Sequence, residues 1–208
     1  MLDHVLAGED IRTVRADDRA QTAAEQFVRH GQHHRLANGW MRVKRRFHFA
    51  ELDPVAAGLY HAVPAAEVQR LTSSPAEWVA RVRLDPEGRW YERIAMSDDF
   101  EVWLISWLPG QSTGFHDHGP SAGAFGVVWG ALDESVPPVG SAKPRAKRLA
   151  AGAVRSFGPR YVHDVQNSST GSVAVSVHAY SPPLSSMTRY NLTPGGLAAA
   201  GTEGAGDW

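Results

Sequence analysis

The pattern of hydrophobic and polar residues changes near residue 88. Before that point, residues 50–82 have apolar side chains at helical spacing, and residues 74–77 form a capping-box sequence with proline at the first helical position. After it, apolar residues gather in short runs separated by Gly and Pro clusters. These runs lie at residues 100–108, 123–130, 152–157, 161–167 and 172–180. Short strands at this spacing predict a mainly β sandwich or barrel preceded by N-terminal helices.

The two ends of the chain lack these patterns. Residues 1–48 are polar, with weak helical spacing at 22–28, and we expect an N-terminal arm that is helical or partly disordered. Residues 193–208 are rich in Gly, Ala and Thr, which predicts a flexible tail. The folded domain is therefore predicted to span residues 49–192, with helices over 50–82 and the barrel over 88–192.

Composition narrows the classes of function. The 208 residues include 21 basic and 22 acidic side chains, so neither nucleic acid nor an anionic membrane is an expected partner. No apolar run is long enough for a transmembrane helix and the first residues lack a signal-peptide pattern, which predicts a cytoplasmic protein. The chain contains no cysteine, so a transition metal must be held by histidine, carboxylate or water.

Three histidines form a candidate metal site. His116 and His118 follow a glycine-rich turn, and side chains two residues apart on a strand project from the same face. A Gly-Pro turn then leads into a second strand that carries His163. An isolated His-x-His is more often two polar loop residues, but the second histidine-bearing turn favours a metal site here. Three imidazoles suit Fe, Zn, Cu, Ni or Co, and ligand type alone does not choose among them.

The last predicted strand has one polar and one apolar face. Ser176, His178 and Tyr180 alternate with valine and alanine. A polar face that points into a barrel must satisfy its hydrogen bonds internally, and a Ser-His-Tyr relay would do so. The alternative is an outward polar strip exposed to water.

The two histidine-bearing segments resemble the conserved motifs of the cupin superfamily. Residues 110–118 match Gly-x5-His-x-His, and residues 152–167 match the second motif, with its Gly, Gly-Pro, His and Asn. Most metal-binding cupins also have a glutamate shortly after the His-x-His, where residues 121–123 are Ser-Ala-Gly. A three-histidine site without that glutamate is typical of the thiol dioxygenases.

Two further segments resemble the cysteine dioxygenase family. Residues 176–183 are similar to its Ser-x-His-x-Tyr-Ser-Pro-Pro segment, and residues 91–93 are similar to its Tyr-x-Arg segment. The matches extend from about residue 88 to 190 and occur in the family's order. The chain is therefore identified as a member of the bacterial type of this family, which implies a cupin jelly-roll β-barrel.

The resemblance also implies a cofactor and a reaction. It implies that His116, His118 and His163 hold Fe(II), and that the protein oxidises L-cysteine with O2 to cysteine sulfinate. Because three neutral imidazoles bring no charge, we expect the charge of the metal to be uncompensated by the protein. Such a site favours an anionic sulfur ligand.

Roles for other residues follow from the same resemblance. Arg93, with Tyr91, is expected to bind the substrate carboxylate, and Tyr180 is expected to contact the substrate as well. Tyr180, His178 and Ser176 are expected to form the catalytic relay. Taken without the resemblance, Arg93 would be interpreted as an exposed strand residue paired with a neighbouring acidic side chain.

Two local features are also implied. In animal cysteine dioxygenases a cysteine is crosslinked to the active-site tyrosine, and Gly123 stands in its place here, so Tyr180 must be uncrosslinked. The family further implies a cis peptide bond between Ser181 and Pro182.

Alternative functions remain open at this point. A sister enzyme acting on 3-mercaptopropionate is one, although its relatives usually have glutamine where this chain has Arg93. Cysteamine is less expected as a substrate, since it has no carboxylate. A non-catalytic cupin that binds a small ligand or zinc is another alternative. The expected partners are a small thiol and O2, for a monomer or a weak homo-oligomer.

Overall fold

The architecture is taken from a computed structural model, which describes residues 54–137 and 144–207. The predicted arm over residues 1–48 lies outside the described residues, as do residues 49–53 of the predicted domain. Within the described part, one α-helix precedes eleven β-strands. None of the helices described here is both long and apolar enough to cross a membrane.

The helical region is shorter than the sequence predicts. The α-helix, α1, spans Pro54–Thr72, and only a short 3-10 helix, Pro75–Glu77, follows it within the predicted range 50–82. Helix formation stops there because the chain turns to bury Trp78. The Trp78 indole N–H donates to the Leu71 carbonyl at 3.1 Å, which packs this segment back onto the end of α1.

The predicted capping box does not form. The side chain of Ser74 makes no cap hydrogen bond. The Glu77 carboxylate, which should reach back to the Ser74 backbone, instead accepts hydrogen bonds from Arg70 at 2.6 and 2.8 Å. An ion pair with the preceding helix has replaced the local cap.

The strands form two layers. In chain order they are β1 (Trp90–Met96), β2 (Glu101–Trp107), β3 (Phe115–His116), β4 (Ala122–Trp129), β5 (Ala131–Val136), β6 (Arg145–Ala150), β7 (Val154–Phe157), β8 (Asp164–Gln166), β9 (Ala174–Ser181), β10 (Ser186–Thr193) and β11 (Gly196–Gly204). One layer is a five-stranded antiparallel sheet in the order β1-β2-β9-β4-β7. The other consists of two three-stranded sheets, β11-β10-β3 and β6-β5-β8.

Both faces of the five-stranded sheet are covered. On its outer face, Val102 and Val177 pack with Val68 of α1 in one hydrophobic cluster. On its inner face, Trp107 and Phe125 belong to a second cluster that also includes residues of β5, β6 and β8. β9 is consequently buried along its whole length, and its alternate residues serve the two cores.

The two small sheets meet through two backbone bridges. Ser112 pairs with Gln166, and His116 pairs with His163. The bridges join the segment around β3 to the segment around β8, so the two small sheets together line one side of the barrel interior. Two of the candidate metal ligands therefore lie at this junction.

The C-terminal segment differs from its prediction. Where a flexible tail was expected from residue 193, Gly196–Gly204 forms β11 and pairs with β10 through a tight connection at residues 194–195. Backbone pairing with an adjacent strand requires no hydrophobic side chains, so a Gly- and Ala-rich segment can still form an edge strand. Otherwise the mainly β barrel with helical structure before it is confirmed, and so is the cis bond between Ser181 and Pro182.

Candidate metal centre

Three buried histidines converge at the junction of the two small sheets. His116 ends β3, His118 lies two residues later, and His163 directly precedes β8. One ring nitrogen from each lies within 4.8 Å of those of the other two. The structure thus brings together the three residues that the sequence predicts as metal ligands.

Backbone hydrogen bonds fix two of these histidines relative to each other. His116 and His163 exchange N–H···O=C bonds of 3.0 Å in both directions. Residues paired in this way on antiparallel strands project their side chains to the same face. Their ring centroids lie 4.9 Å apart, so the backbone bridge places the two imidazole rings side by side.

Asp117 and Gly119 hold the segment that carries His118. Because Asp117 alternates with the histidines, its carboxylate points to the other face. It accepts hydrogen bonds there from the Tyr190 hydroxyl at 2.7 Å and the Gly119 N–H at 2.9 Å. Gly119 has a φ of +54°, and a Cβ there would lie 3.1 Å from the Ser186 carbonyl oxygen. Glycine is therefore required where the segment passes β10.

The ring nitrogens of the cluster are incompletely hydrogen-bonded. His116 contacts the Gly114 carbonyl through Nδ1 at 2.9 Å, and His163 contacts Glu134 through Nδ1 at 3.0 Å. Both nitrogens of His118 are buried without any hydrogen-bond partner among the described residues. Buried polar atoms without partners are costly, and a shared cation would satisfy them. The cluster therefore fits a metal ion.

Burial keeps two histidines of the cluster, His116 and His118, unprotonated. It lowers the pKa of His116 well below the ordinary value, and the neighbouring His163 lowers it further. Burial also lowers the pKa of His118, with His116 as the next cause. A neutral imidazole retains the lone pair that a transition metal requires. At neutral pH these rings are therefore in the ligating form.

A buried glutamate that the sequence reasoning missed lies behind the cluster. Glu134 on β5 accepts hydrogen bonds from His163 Nδ1 at 3.0 Å, from Arg155 Nε at 2.7 Å and from the Tyr161 hydroxyl at 3.3 Å. Burial alone would raise the pKa of Glu134, but the bonds from His163 and Arg155 outweigh it and lower the pKa. The only sequence signal was one glutamate at an inward position of the alternating run over residues 131–136.

Glu134 changes the expected charge balance of the site. The sequence predicts that protein groups leave the charge of the metal uncompensated, but the Glu134 carboxylate is hydrogen-bonded to His163, one of the three candidate ligands. A carboxylate on His163 Nδ1 also fixes the proton on that nitrogen and leaves Nε2 for the metal. Nε2 of His163 is thereby a stronger electron-pair donor to a metal than a nitrogen of an isolated imidazole.

The polar face of β9 forms the predicted relay inside the barrel. Trp107 Nε1 donates to Ser176 Oγ at 2.8 Å, and Ser176 Oγ lies 2.8 Å from His178 Nε2. His178 Nδ1 lies 3.3 Å from the Tyr180 hydroxyl. An indole can only donate, so Ser176 Oγ accepts from Trp107 and keeps its own proton to donate. The chain is satisfied when Ser176 donates to Nε2 and the Nδ1–H of His178 donates to Tyr180. The phenol proton of Tyr180 is then available to the cavity.

Burial also sets the protonation of the relay. It lowers the pKa of His178 to about 3, so this ring is neutral. Burial raises the pKa of Tyr180, and the nearby Glu101 raises it further. The Tyr180 ring lies 4.8 Å from that of His118. A neutral phenol therefore lies beside the metal cluster.

The relay and the cluster share one small cavity. It has a volume of about 240 Å³, and its wall includes His116, His163, His178 and Tyr180. This is below the roughly 300–1,000 Å³ of typical pockets for drug-sized ligands. The size suits a substrate of a few heavy atoms.

Tyr91 and Arg93, the predicted substrate-binding residues, are placed differently. Tyr91 lies in the cavity wall, with its ring against Trp103. The Arg93 side chain is 45% exposed, lies over the Trp103 ring and contacts the buried Glu101 carboxylate at 3.4 Å. It is not part of the described cavity wall.

Two other arginines do line the cavity. Arg89 lies at its wall together with Arg189 of β10. Sequence reasoning missed both. Arg89 had a usable signal, because positions 89, 91 and 93 share one face of an extended chain.

Comparison with protein families gives one match over most of the chain. The family described as "Cysteine dioxygenase type I" matches residues 49–193. This range contains the three histidines, the relay, the two arginines of the cavity wall and Arg93. A comparison with curated proteins found no match.

Solved structures give partial matches. A protein from Thermus thermophilus is 26% identical over 49% of this chain and 90% of its own, with a TM-score of 0.41. A double-stranded β-helix protein from Klebsiella pneumoniae is 20% identical over 50% of this chain and 84% of its own, at 0.43. A cupin superfamily protein from Desulfitobacterium hafniense is 11% identical over 47% and 81%, at 0.40.

Proposed function

The chain belongs to the cysteine dioxygenase type I family, and from this premise we propose that it is an iron(II)-dependent dioxygenase of L-cysteine. The observation that carries the proposal is the cluster of three buried histidines with ring nitrogens free for a metal. Iron is preferred over zinc because oxidation by O2 needs a redox-active metal, and zinc has no redox chemistry.

The residues present fit the proposed metal. His116, His118 and His163 would hold it, and Glu134 would orient His163 from behind. When bound, iron supplies a Lewis-acidic, redox-active centre at which a thiol and O2 can react. Overall, RSH and O2 give RSO2H: the electrons lost by sulfur reduce O2, and both oxygen atoms remain on sulfur.

Tyr180 is proposed to act through its phenol proton. Because burial raises its pKa, the phenol stays protonated and donates a hydrogen bond into the cavity. His178 accepts from Ser176 and donates to Tyr180, so the phenol oxygen is held in place while its proton faces the substrate. A positioned donor of this kind stabilises negative charge that develops on oxygen or sulfur.

The site also limits which thiols can react. The cavity volume excludes large substrates. The predicted role of Arg93 in carboxylate binding stays a prediction. We expect Arg93→Gln to weaken cysteine use if that role is correct.

Oxygen uptake by iron(II)-loaded protein tests the proposal. L-cysteine, 3-mercaptopropionate and cysteamine are offered in parallel, and the products are analysed for sulfinate. Uptake mainly with cysteine, with stoichiometric sulfinate, is the expected result. Uptake mainly with another thiol would support dioxygenase activity but show that L-cysteine is not the preferred substrate. No uptake with any thiol would favour a non-catalytic metal-binding cupin.

A further inference from the structure

The buried carboxylate of Glu134 is bonded to more than a candidate metal ligand. Its Oε1 accepts from His163 at 3.0 Å and from the Tyr161 hydroxyl at 3.3 Å, and its Oε2 accepts from Arg155 Nε at 2.7 Å. Arg155 Nη2 also donates to the Tyr161 hydroxyl at 3.3 Å, so three side chains form a closed ring behind His163. The Glu134 side chain is 1% exposed and that of Arg155 is 39% exposed. The network therefore extends from His163 to the surface.

The members of this network come from different parts of the barrel. Glu134 lies on β5 and Arg155 on β7, which belong to different sheets, and Tyr161 lies in the segment between β7 and His163. An ion pair that only joins two sheets would account for the bond between Arg155 and Glu134. It would give no reason for the same carboxylate to bond a candidate metal ligand. The two bonds together indicate a role at the metal centre.

Arg155 restores the charge balance that Glu134 alone would change. A carboxylate at Nδ1 orients His163 and strengthens electron donation from Nε2, and its charge partly offsets that of a bound metal. A guanidinium in contact with the carboxylate makes the pair neutral overall and draws electron density away from His163. Negative charge near a metal stabilises Fe(III) more than Fe(II), because the ferric ion has the larger charge. The Arg155 guanidinium therefore favours the ferrous state.

We propose that Arg155 is a positioning residue of the metal centre, which acts through Glu134 to keep His163 oriented by a carboxylate while favouring Fe(II). The inference rests on the proposed function for the identity of the metal. Tyr161 has the same role to a smaller extent, since its hydroxyl donates to Oε1 and accepts from Arg155. The carboxylate supplies the orientation of the ligand, and the two donors limit the charge that reaches it.

The test measures the reduction potential of bound iron, without thiol and without turnover. Iron-loaded protein is equilibrated anaerobically with redox mediators at a series of potentials, and electron paramagnetic resonance gives the ferric fraction. We expect Arg155→Gln to raise the ratio of ferric to ferrous affinity about tenfold, the lower end of the usual effect of groups that support a ligand. For a one-electron couple this lowers the potential by about 59 mV.

Two milder variants keep the test independent of folding. Arg155→Lys preserves the positive charge, so its potential should stay close to that of the unmodified protein. Tyr161→Phe preserves the ring that stacks on Phe157 at 5.5 Å but removes one donor to Glu134. Its potential should fall less than that of Arg155→Gln.

A double-mutant cycle separates action through Glu134 from a direct effect of charge. Glu134→Gln removes the carboxylate and should raise the potential. In that background Arg155 loses its ion pair, and its partly exposed side chain can turn to water, where its charge is screened. We therefore expect Arg155→Gln to change the potential little once it is combined with Glu134→Gln.

A matched control lies on the neighbouring strand. Arg148 on β6 is 59% exposed and pairs at 3.6 Å with Asp133, the residue before Glu134. Arg148→Gln removes the same charge without touching the network, so the potential should not change. Thermal unfolding of the metal-free variants gives the structural contribution, because a merely structural ion pair would lower the unfolding temperature and leave the potential unchanged.

Several results would overturn the inference. An unchanged or raised potential in Arg155→Gln would mean that the pair serves stability alone. An equal fall with and without Glu134→Gln, or an equal fall in Arg148→Gln, would mean that Arg155 does not act through the carboxylate. Failure of the unmodified protein to bind iron would reject both this inference and the proposed function. The expected shifts together with no oxygen uptake from any thiol would reject the proposed function alone.

Discussion

Two buried histidines in this barrel have similar hydrogen bonds and different expected roles. His163 donates from Nδ1 to Glu134, and Nδ1 of His178 lies 3.3 Å from the Tyr180 hydroxyl. They differ at the other nitrogen. No protein group within the described residues hydrogen-bonds to Nε2 of His163, whereas Ser176 Oγ lies 2.8 Å from Nε2 of His178. The hydrogen-bond partner at Nε2 thus distinguishes His163, a candidate metal ligand, from His178, a residue of the relay.

The partners on Nδ1 differ in charge as well. Glu134 is a carboxylate whose hydrogen bonds lower its pKa, so it presents a negative charge to His163. Tyr180 is a phenol whose pKa burial raises, so it presents a neutral oxygen to His178. A negatively charged partner at Nδ1 increases the basicity of Nε2, the nitrogen of His163 that would bind a metal. A neutral partner does not have this effect, so His178 stays an uncharged ring between Ser176 and Tyr180.

The strongest way to test this comparison is to remove each histidine. His163→Ala should abolish metal binding and oxygen uptake, because only two ligands remain and Glu134 loses a partner. His178→Ala should retain the metal while oxygen uptake falls. Metal content by mass spectrometry and uptake rates for both variants measure the contrast. Equal metal loss in the two variants would mean that the relay also supports the ligands.

Removing the phenol proton should have the next largest effect. Tyr180→Phe preserves the ring but removes the donor, so we expect kcat to fall about 100-fold, in the usual range for a positioned proton donor. Metal content should not change, since Tyr180 contacts His118 only through its ring. Steady-state kinetics beside metal analysis measure this. An unchanged kcat would remove Tyr180 from the chemistry.

The charge behind His163 can be altered without changing its shape. Glu134→Gln should weaken metal binding about 10- to 100-fold, the usual cost of losing a carboxylate that orients a ligand. Asp133→Asn is the matched control, because Asp133 is the preceding residue on β5 and pairs with exposed Arg148 instead. Competition with a chelator gives both affinities. Equal affinities would show that the negative charge does not matter.

The smallest predicted effect concerns pH. The pKa of His178 is about 3 in the folded protein, below its ordinary value of 6.5, so acid protonates the unfolded state first. The free energy of unfolding of the metal-free protein should therefore fall as pH decreases from about 6.5, by about 1.4 kcal/mol per unit for this residue. Urea titrations at several pH values, with His178→Gln for comparison, measure the slope. An identical slope in the variant would contradict this assignment.

The parts of the site that could be predicted are those with short-range patterns. His116 and His118 are two residues apart, and Ser176, His178 and Tyr180 alternate along one strand, so strand geometry alone places each set on one face. The Gly-Pro turn before His163 is an equally local signal. These residues lie where the sequence predicts, inside the barrel and close to one another.

The parts that could not be predicted depend on pairing between distant segments. Glu134 reaches His163 because β5 pairs with β8, and no local pattern contains that register. Arg189 lies in the same cavity wall as Arg89, although the two residues are 100 positions apart in the sequence. β11 escaped prediction for a similar reason, since its partner strand and not its composition makes it extended.

Gly123 and Phe157 together constrain how a crosslinked tyrosine could evolve from this arrangement. A Cβ at this position would lie 2.7 Å from the Phe157 ring and 2.9 Å from the Tyr180 ring, so a cysteine would collide with Phe157. Phe157 also stacks on the His118 ring at 5.0 Å, and a smaller residue there would loosen a metal ligand. Each substitution is therefore harmful without the other. The two positions are epistatic, and a lineage must change both to exchange the free phenol for a thioether.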